Sequence, residues 1–409
     1  MKAKALGIWG AAGSLGFIIG LILGGVLTAF LGWRWIFWIS LIISGVVIPA
    51  AYAVLPRVSS SRAATPPPVD GGVTGDSARA PKKGLLQSVR ERLVRFDALG
   101  LSLGIPGILL LTYALTSANT EGWNDAKIIT TLVVSTLLVV VFILHERSAS
   151  QAILAPHLFR NLSFNLTLML AVNTYAVRQG CTYFLTVQLQ SYGASAIHTS
   201  VLFVPLGVSA LIFNTLSGRL VPILGARPMF IIGWALSIPG ILLFSFVTED
   251  TSYWRYTFPG MILYIAGIGA VYITANFVVV SSASKSDQGA AAGVFNVALQ
   301  VGGSVLGLAV LTAVAEGIEK TYGNADLPRG ELSEVGYRSV YYSCVILSGI
   351  GLFLSVLAIK MPDSMHGSIW KKRVDASAAT ETSSAHELQP TQSQHSLVCT
   401  DPMSIEAPR

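Results

Sequence analysis

A helix needs about 20 mostly apolar residues to cross ~30 Å of hydrocarbon. Ten stretches of this chain meet that requirement: 7–30, 34–55, 98–117, 127–145, 163–188, 199–217, 228–248, 255–281, 288–315 and 338–360. The first is too long for a signal peptide, and a second span follows it after a tight turn. Two polar segments interrupt the pattern. Residues 56–96 are rich in Ser, Pro, Gly and Arg and read as a flexible linker. Residues 361–409 are rich in Ser, Thr, Gln and Ala and read as a disordered tail. The pattern predicts an all-α polytopic membrane bundle of about ten helices.

Composition strengthens that reading. The 409 residues are 52% hydrophobic and only 12% charged, half the charge of an ordinary soluble domain. Mean hydropathy is +0.63. Too few charges remain to cover a water-facing surface, so lipid is the expected partner. The net charge of +6 is no nucleic-acid signal, because the basic residues sit between apolar runs. Most of the 27 basic residues fall on one side of a ten-span topology, including Arg147, Arg160, Arg219 and Arg227 in short loops. The positive-inside rule puts that side, and both termini, in the cytoplasm. The three cysteines, Cys181, Cys344 and Cys399, form no CxxC or Cys/His cluster, so neither metal nor disulfide framework is expected. No phosphate-cradling loop, nucleophile elbow or metal-ligand pair appears, and no cofactor or enzymatic activity is expected.

Chemistry is therefore sought inside the membrane, where ionisable residues are costly and mark functional sites. Arg178 alone stands near mid-span, on a polar stripe with Thr174, Tyr175, Cys181 and Thr182. It reads either as a contact for an anion or substrate in a central cavity, or as a snorkelling arginine that holds helices together. Tyr272 and Asn276 form a second stripe, and Asn296, Gln300 and Ser304 a third. Amides and phenols at helical spacing suit a mixed aromatic and polar organic guest, and equally suit helix-to-helix bonding. Tyr113 and Gln188 are weaker candidates. Asp97, Asp287 and Glu316 lie at span ends, so no mid-span carboxylate offers the raised pKa that proton coupling ordinarily uses. In the first span Gly16, Gly20 and Gly24 recur at every fourth residue, with Gly25 beside them. That spacing puts bare backbone on one helix face, where a neighbour can approach closely.

These glycines with Leu21, followed by Trp33, Arg34, Trp35, Ile36, Phe37, Trp38 and Ile39, resemble the antiporter motif of the major facilitator superfamily, with Leu21 where the motif has proline. The likeness is to the fourteen-span drug:proton antiporter branch, its fungal members in particular. Asp97 and Gly100, Gly122 and Trp123, and Pro156 with Leu158 to Asn161 fit later segments in order. Gly218, Arg219, Gly225 and Arg227 resemble the second copy of the basic loop motif, without its acidic residue. Gln288 to Gly293 with Asn296 and Gln300 resemble the thirteenth span. The resemblance covers residues 1–360 and implies two helix bundles rocking about a central cavity. The ten spans match the family's fifth to fourteenth, so its first four are expected to lie outside this sequence. By that alignment 1–55 supplies the remainder of the first bundle and 97–146 the extra middle pair. Residues 147–360 supply the six-helix second bundle.

The resemblance also implies a monomer, in the plasma membrane rather than the vacuole, that exports a small organic compound such as a drug, toxin or secondary metabolite in exchange for protons. Arg178, Tyr175, Tyr272, Asn276, Asn296 and Gln300 are the expected substrate contacts. Two alternatives stay open: transport of a small inorganic solute such as ammonium or borate, and a non-transporting paralogue acting as a membrane interaction partner.

Overall fold

The computed structural model describes residues 2–54, 98–148, 156–284, 287–323 and 331–357. The linker and the tail expected from composition lie outside these residues. The described elements are helical: α1 (Lys2–Phe30), α2 (Arg34–Val54), α3 (Ala98–Glu121), α4 (Ala126–Ser148), a 3₁₀ turn (Pro156–Arg160), α5 (Leu162–Ser191), α6 (Ala196–Leu202), α7 (Val204–Leu224), α8 (Ala226–Phe244), α9 (Thr257–Ser282), α10 (Gln288–Val297), a π-helical stretch (Ala298–Leu306), α11 (Gly307–Tyr322) and α12 (Glu334–Leu357). Each of the ten apolar stretches holds helix among the described residues, although the helix in 228–248 ends at Phe244 and the one in 255–281 begins at Thr257. Eight helices among the described residues are long and apolar enough to cross a membrane. α5 is long enough at 30 residues but more polar, because its Asn, Thr, Gln and Arg residues cluster along it.

Two stretches expected as single helices are interrupted. The break between α6 and α7 falls at Phe203, just before Pro205. Proline removes a backbone donor and crowds the preceding turn, so the helix restarts there. The stretch from Gln288 to Tyr322 widens into π-helix around the Gly302-Gly303 pair. π-Segments inside α-helices are rare and concentrate at functional sites.

Glycines set the helix crossings. α8 and α9 form the most extensive contact among the described helices. A Cβ on Gly233 would come within 2.9 Å of the Gly267 carbonyl, and one on Gly260 within 3.1 Å of the Gly240 carbonyl. Apolar burial cannot drive association in lipid, so close backbone packing supplies the attraction. The same device joins α5 to the π-stretch and α11. A Cβ on Gly303 would strike the Tyr175 Cβ, and one on Gly307 would lie 2.8 Å from the Ala176 Cα. α12 packs on α8, α5 and α11. Its Gly351 faces the Trp234 indole, whose ring a Cβ would meet at 2.6 Å.

α1 packs on α6 and α7, and α3 pairs with α4 and touches the π-stretch and α11. The contact face of α1 differs from the one the glycine spacing points to. Nothing described lies within 4 Å of a Cβ placed on Gly16, Gly20 or Gly24. The approach comes at Gly25, where a Cβ would strike Ser200 and lie 3.1 Å from the Ala196 carbonyl. The buried positions Gly25 and Leu27, with half-buried Ile18 and Leu21, define a face rotated from the glycine row. None of the apolar window of α2 is buried.

Candidate functional site

α5 is the centre of the polar architecture. Asn161 opens it by accepting the Ser163 N–H at 3.0 Å, a capping bond that satisfies one of the orphan donors of the first turn. Arg178 sits midway, with roughly 20 Å of helix on either side at 1.5 Å per residue. Its guanidinium donates to the Tyr175 hydroxyl at 2.9 Å and lies 5.0 Å from the centroid of the same ring. The backbone here is tied across to α9. The Tyr264 hydroxyl donates to the Arg178 carbonyl at 2.9 Å and lies 3.4 Å from Thr182 Oγ1.

An aromatic file runs outward from Arg178. Tyr175 on α5 meets Tyr272 on α9 with ring centroids 5.8 Å apart. Tyr272 stacks on Phe295 of α10 at 6.1 Å and 29°. Tyr175, Arg178 and Tyr272 are half-buried, and Phe295 is fully buried. The structure thus brings three of the six expected contacts into one cluster. Asn276 is half-buried one turn from Tyr272. Asn296 and Gln300 are exposed. Asn296 donates to the carbonyl of Ala292 at 2.9 Å, and Gln300 accepts from Ser304 at 3.4 Å. Each bond stays within four residues, so these amides neither join the cluster nor bridge helices through the bonds described.

Gln188 carries more structure than its sequence position showed. It is 1% exposed. Its amide donates to the Val247 carbonyl at 3.0 Å and to the Tyr192 hydroxyl at 3.1 Å, while its oxygen accepts from Tyr341 at 2.6 Å. One side chain therefore ties α5 to α12 and to the turn after α8. Burial pushes the Tyr192 phenol above its ordinary value, with the Gln188 bond opposing.

A buried carboxylate went unnoticed in the sequence. Glu319 on α11 is 4% exposed. Its Oε2 accepts from the backbone of Ser333 at 3.1 Å, the hydroxyl of Ser333 at 2.9 Å and the backbone of Gly336 at 3.0 Å. It caps α12 from a neighbouring helix. A signal existed: an acid in the last turn of a helix opposes the dipole unless a partner compensates. Here the partner is the first turn of α12.

The basic loop residues form a one-residue hinge. Gly225 ends α7 at φ 88 and α8 begins at Ala226. Only glycine takes that backbone conformation at no steric cost. Arg227 donates to the Val356 carbonyl at 2.6 Å, where a cation complements the C-terminal end of α12. Arg219 and Gly218 are exposed. Between α3 and α11 lies an apolar crevice of about 310 Å³ that Leu115, Trp123 and Val310 help line. Among the described residues no group of three or more His, Cys, Asp or Glu could hold a metal.

The profile described as Major Facilitator Superfamily matches residues 1–307 and 166–393. Puromycin resistance protein pur8 of Streptomyces alboniger is 29% identical over 373 residues, covering 89% of this chain and 67% of that protein. The multidrug transporter mfsC of Aspergillus fumigatus is 25% identical over 318 residues, covering 75% and 54%. The tetracenomycin C resistance and export protein of Streptomyces glaucescens is 25% identical over 335 residues, covering 80% and 56%. A crystal structure of the nucleoside transporter NupG aligns with a TM-score of 0.41 at 16% identity, covering 61% of this chain and 65% of that one. The chain spans about half to two thirds of the length of the resistance and export proteins. The family match covers far more than half of the sequence: the chain is a multi-pass membrane protein and belongs to the Major Facilitator Superfamily, whose members are transporters rather than enzymes.

Proposed function

We propose that this protein takes part in secondary transport, exporting a small organic compound in exchange for protons. The observation that carries the reading is the mid-membrane cluster of Arg178, Tyr175 and Tyr272, which joins a fixed positive charge to an aromatic wall. Polar groups placed among apolar walls are what orients a small-molecule guest. The names of the relatives, which include puromycin resistance, multidrug transport and tetracenomycin C export, support a drug or secondary metabolite as cargo. In this reading the chain corresponds to the fifth to fourteenth spans of the fourteen-span branch. α1 and α2 belong to the first bundle, α3 and α4 are the middle pair, and α5 to α12 make the second bundle. It works as a monomer in the plasma membrane with both ends in the cytoplasm. The Gln188 and Glu319 ends of the helices then face outward.

The test is a drug and metabolite susceptibility screen in a pump-deficient yeast, comparing the chain with its Arg178→Ala variant at matched membrane levels. Resistance to at least one compound that disappears in the variant is the expected result. Identical susceptibility of cells with and without the chain, across the whole panel, overturns the reading.

A further inference from the structure

The crevice between α3 and α11 takes no part in the Arg178 cluster, yet its shape is specific. Ala309 and Ala313, one turn apart on α11, make a floor without bulk, and Leu115 of α3 and Leu306 at the end of the π-stretch form its walls. Its volume is about 310 Å³. Leu306 lies at the middle of the membrane-length stretch Gln288–Tyr322. From there to Val314, which also lines the crevice, the helix rises ~12 Å at 1.5 Å per residue. Half of a bilayer's hydrocarbon core is ~15 Å. The crevice therefore follows a single leaflet from the membrane centre to the headgroup boundary.

Trp123 stands at the headgroup end. Gly122 turns the chain out of α3 with φ 103, a conformation open to glycine at no steric cost, and Trp123 follows at the mouth of the crevice. It is exposed, and among the described residues its indole N–H has no hydrogen-bond partner. Indoles gather at this depth because the ring is apolar while the N–H seeks an oxygen.

The chemistry of the lining selects what fills the space. A void leaves the lining atoms without dispersion partners. Water needs two to four polar partners, and this lining offers a single side-chain N–H, at its mouth. The opening faces lipid, because Leu306 and Val310 are exposed and continue the apolar surface that meets the bilayer. Acyl chains already lie along that surface. At about 30 Å³ for each water-sized group, the volume holds roughly ten methylenes, in keeping with the length of the crevice. The volume also stands at the bottom of the range for small-molecule pockets, ~300–1,000 Å³, which fits a slender chain better than the fused rings of a sterol.

We propose that this crevice is a binding site for one acyl chain of a phospholipid, lying along α11 from Leu306 to Val314, with the Trp123 indole donating to an ester or phosphate oxygen of the same lipid. The bound lipid fills the joint between the α3–α4 pair and the helices packed on α5. Its site and the Arg178 cluster share a wall, since Gly303 meets Tyr175 and Gly307, next to Leu306, meets Ala176.

The full chain is reconstituted in phosphatidylcholine nanodiscs with a trace of phosphatidylcholine that carries a terminal diazirine on one chain. Irradiation marks what the chain end touches, and peptide mapping locates the adducts. Val133 and Leu137, exposed on α4, report the lipid that surrounds the protein without a crevice. Adducts at Leu115 and on 306–314 exceed those at Val133 and Leu137 by at least about fivefold, the equivalent of one net hydrogen bond. Ala313→Phe fills the crevice and brings the two regions to one level. Trp123→Phe keeps a ring, loses the N–H and lowers the crevice adducts alone. The wild-type comparison decides even where a variant fails to fold. Equal labelling of the two regions in wild type overturns the proposal, as does an excess that survives Ala313→Phe. So does a diazirine sterol that labels the crevice where the phospholipid does not.

Discussion

Replacing Glu319 removes the acceptor that holds the first turn of α12. Its Oε2 serves three donors at 2.9 to 3.1 Å while the side chain is 4% exposed. A hydrogen bond to a charged group contributes ~1.5–3 kcal/mol, and an unpartnered buried donor costs about as much. Gly336 N–H is among the first-turn donors that no intrahelical carbonyl can satisfy. The Ser333 hydroxyl, whose oxygen also accepts the Val335 N–H at 3.3 Å, can rotate on loss of the acid and donate elsewhere. The two backbone donors therefore carry the loss. Glu319→Ala is expected to destabilise the protein by ~2–4 kcal/mol. Glu319→Gln keeps an acceptor oxygen and also removes the repulsion between a carboxylate and the C-terminal end of α11, so its loss is ~1 kcal/mol. Thermal unfolding in detergent reads the order wild type, glutamine, alanine. Amide hydrogen exchange reads the cause: Ser333 and Gly336 exchange faster in the alanine variant, and amides in α8 do not. Wild-type stability in both variants, with unchanged exchange at Gly336, would refute the capping argument.

Other outcomes follow from the same contacts. Gly307→Val is expected to abolish folded protein, because even a Cβ would lie 2.8 Å from the Ala176 backbone, whereas Gly24→Ala is tolerated because nothing described lies within 4 Å of it; size-exclusion recovery from detergent separates the two. Gln188→Leu leaves the Tyr341 hydroxyl and the Val247 carbonyl without their partner and should cost about 1–3 kcal/mol in thermal stability. Tyr253, in the turn before α9, donates to the Leu202 carbonyl at 2.7 Å, and burial pushes its phenol up to about 12. The unfolded chain loses that proton near 10, so the contribution of Tyr253 to stability is whole below pH 10 and falls as pH rises from 10 through 12. Tyr253→Phe should remove one tyrosinate step near pH 12 from the ultraviolet titration and flatten that part of the stability profile.

The helices were legible because membrane spans declare themselves by apolar length, which needs no partner to interpret. Arg178 was legible for the same reason, since a charge in such a run is conspicuous. The stripe at Tyr175 and Tyr272 could be drawn for each helix separately, but only the crossing of α5 and α9 brought the rings to 5.8 Å. Asn296 and Gln300 show the limit: their spacing matched a stripe, yet that face of α10 and the π-stretch is exposed. The glycine row on α1 meets no described neighbour at Gly16, Gly20 or Gly24, because small residues permit an approach on their face without requiring one from within this chain. Ile18, Leu21, Gly25 and Leu27 chose the other face through contact with α6 and α7. Glu319 was hidden because its partners lie 14 and 17 residues away, across a turn whose path the sequence pattern does not fix.

The central claim is coupled export, and proton movement in reconstituted vesicles tests it most directly. A compound identified by the yeast screen is added to one side of sealed proteoliposomes holding the purified chain, with a pH dye inside. The account predicts a proton flux opposite in direction to the compound, saturating with its concentration and lost in Arg178→Ala. Movement of the compound with no accompanying proton flux, or flux unchanged in the variant, would contradict it.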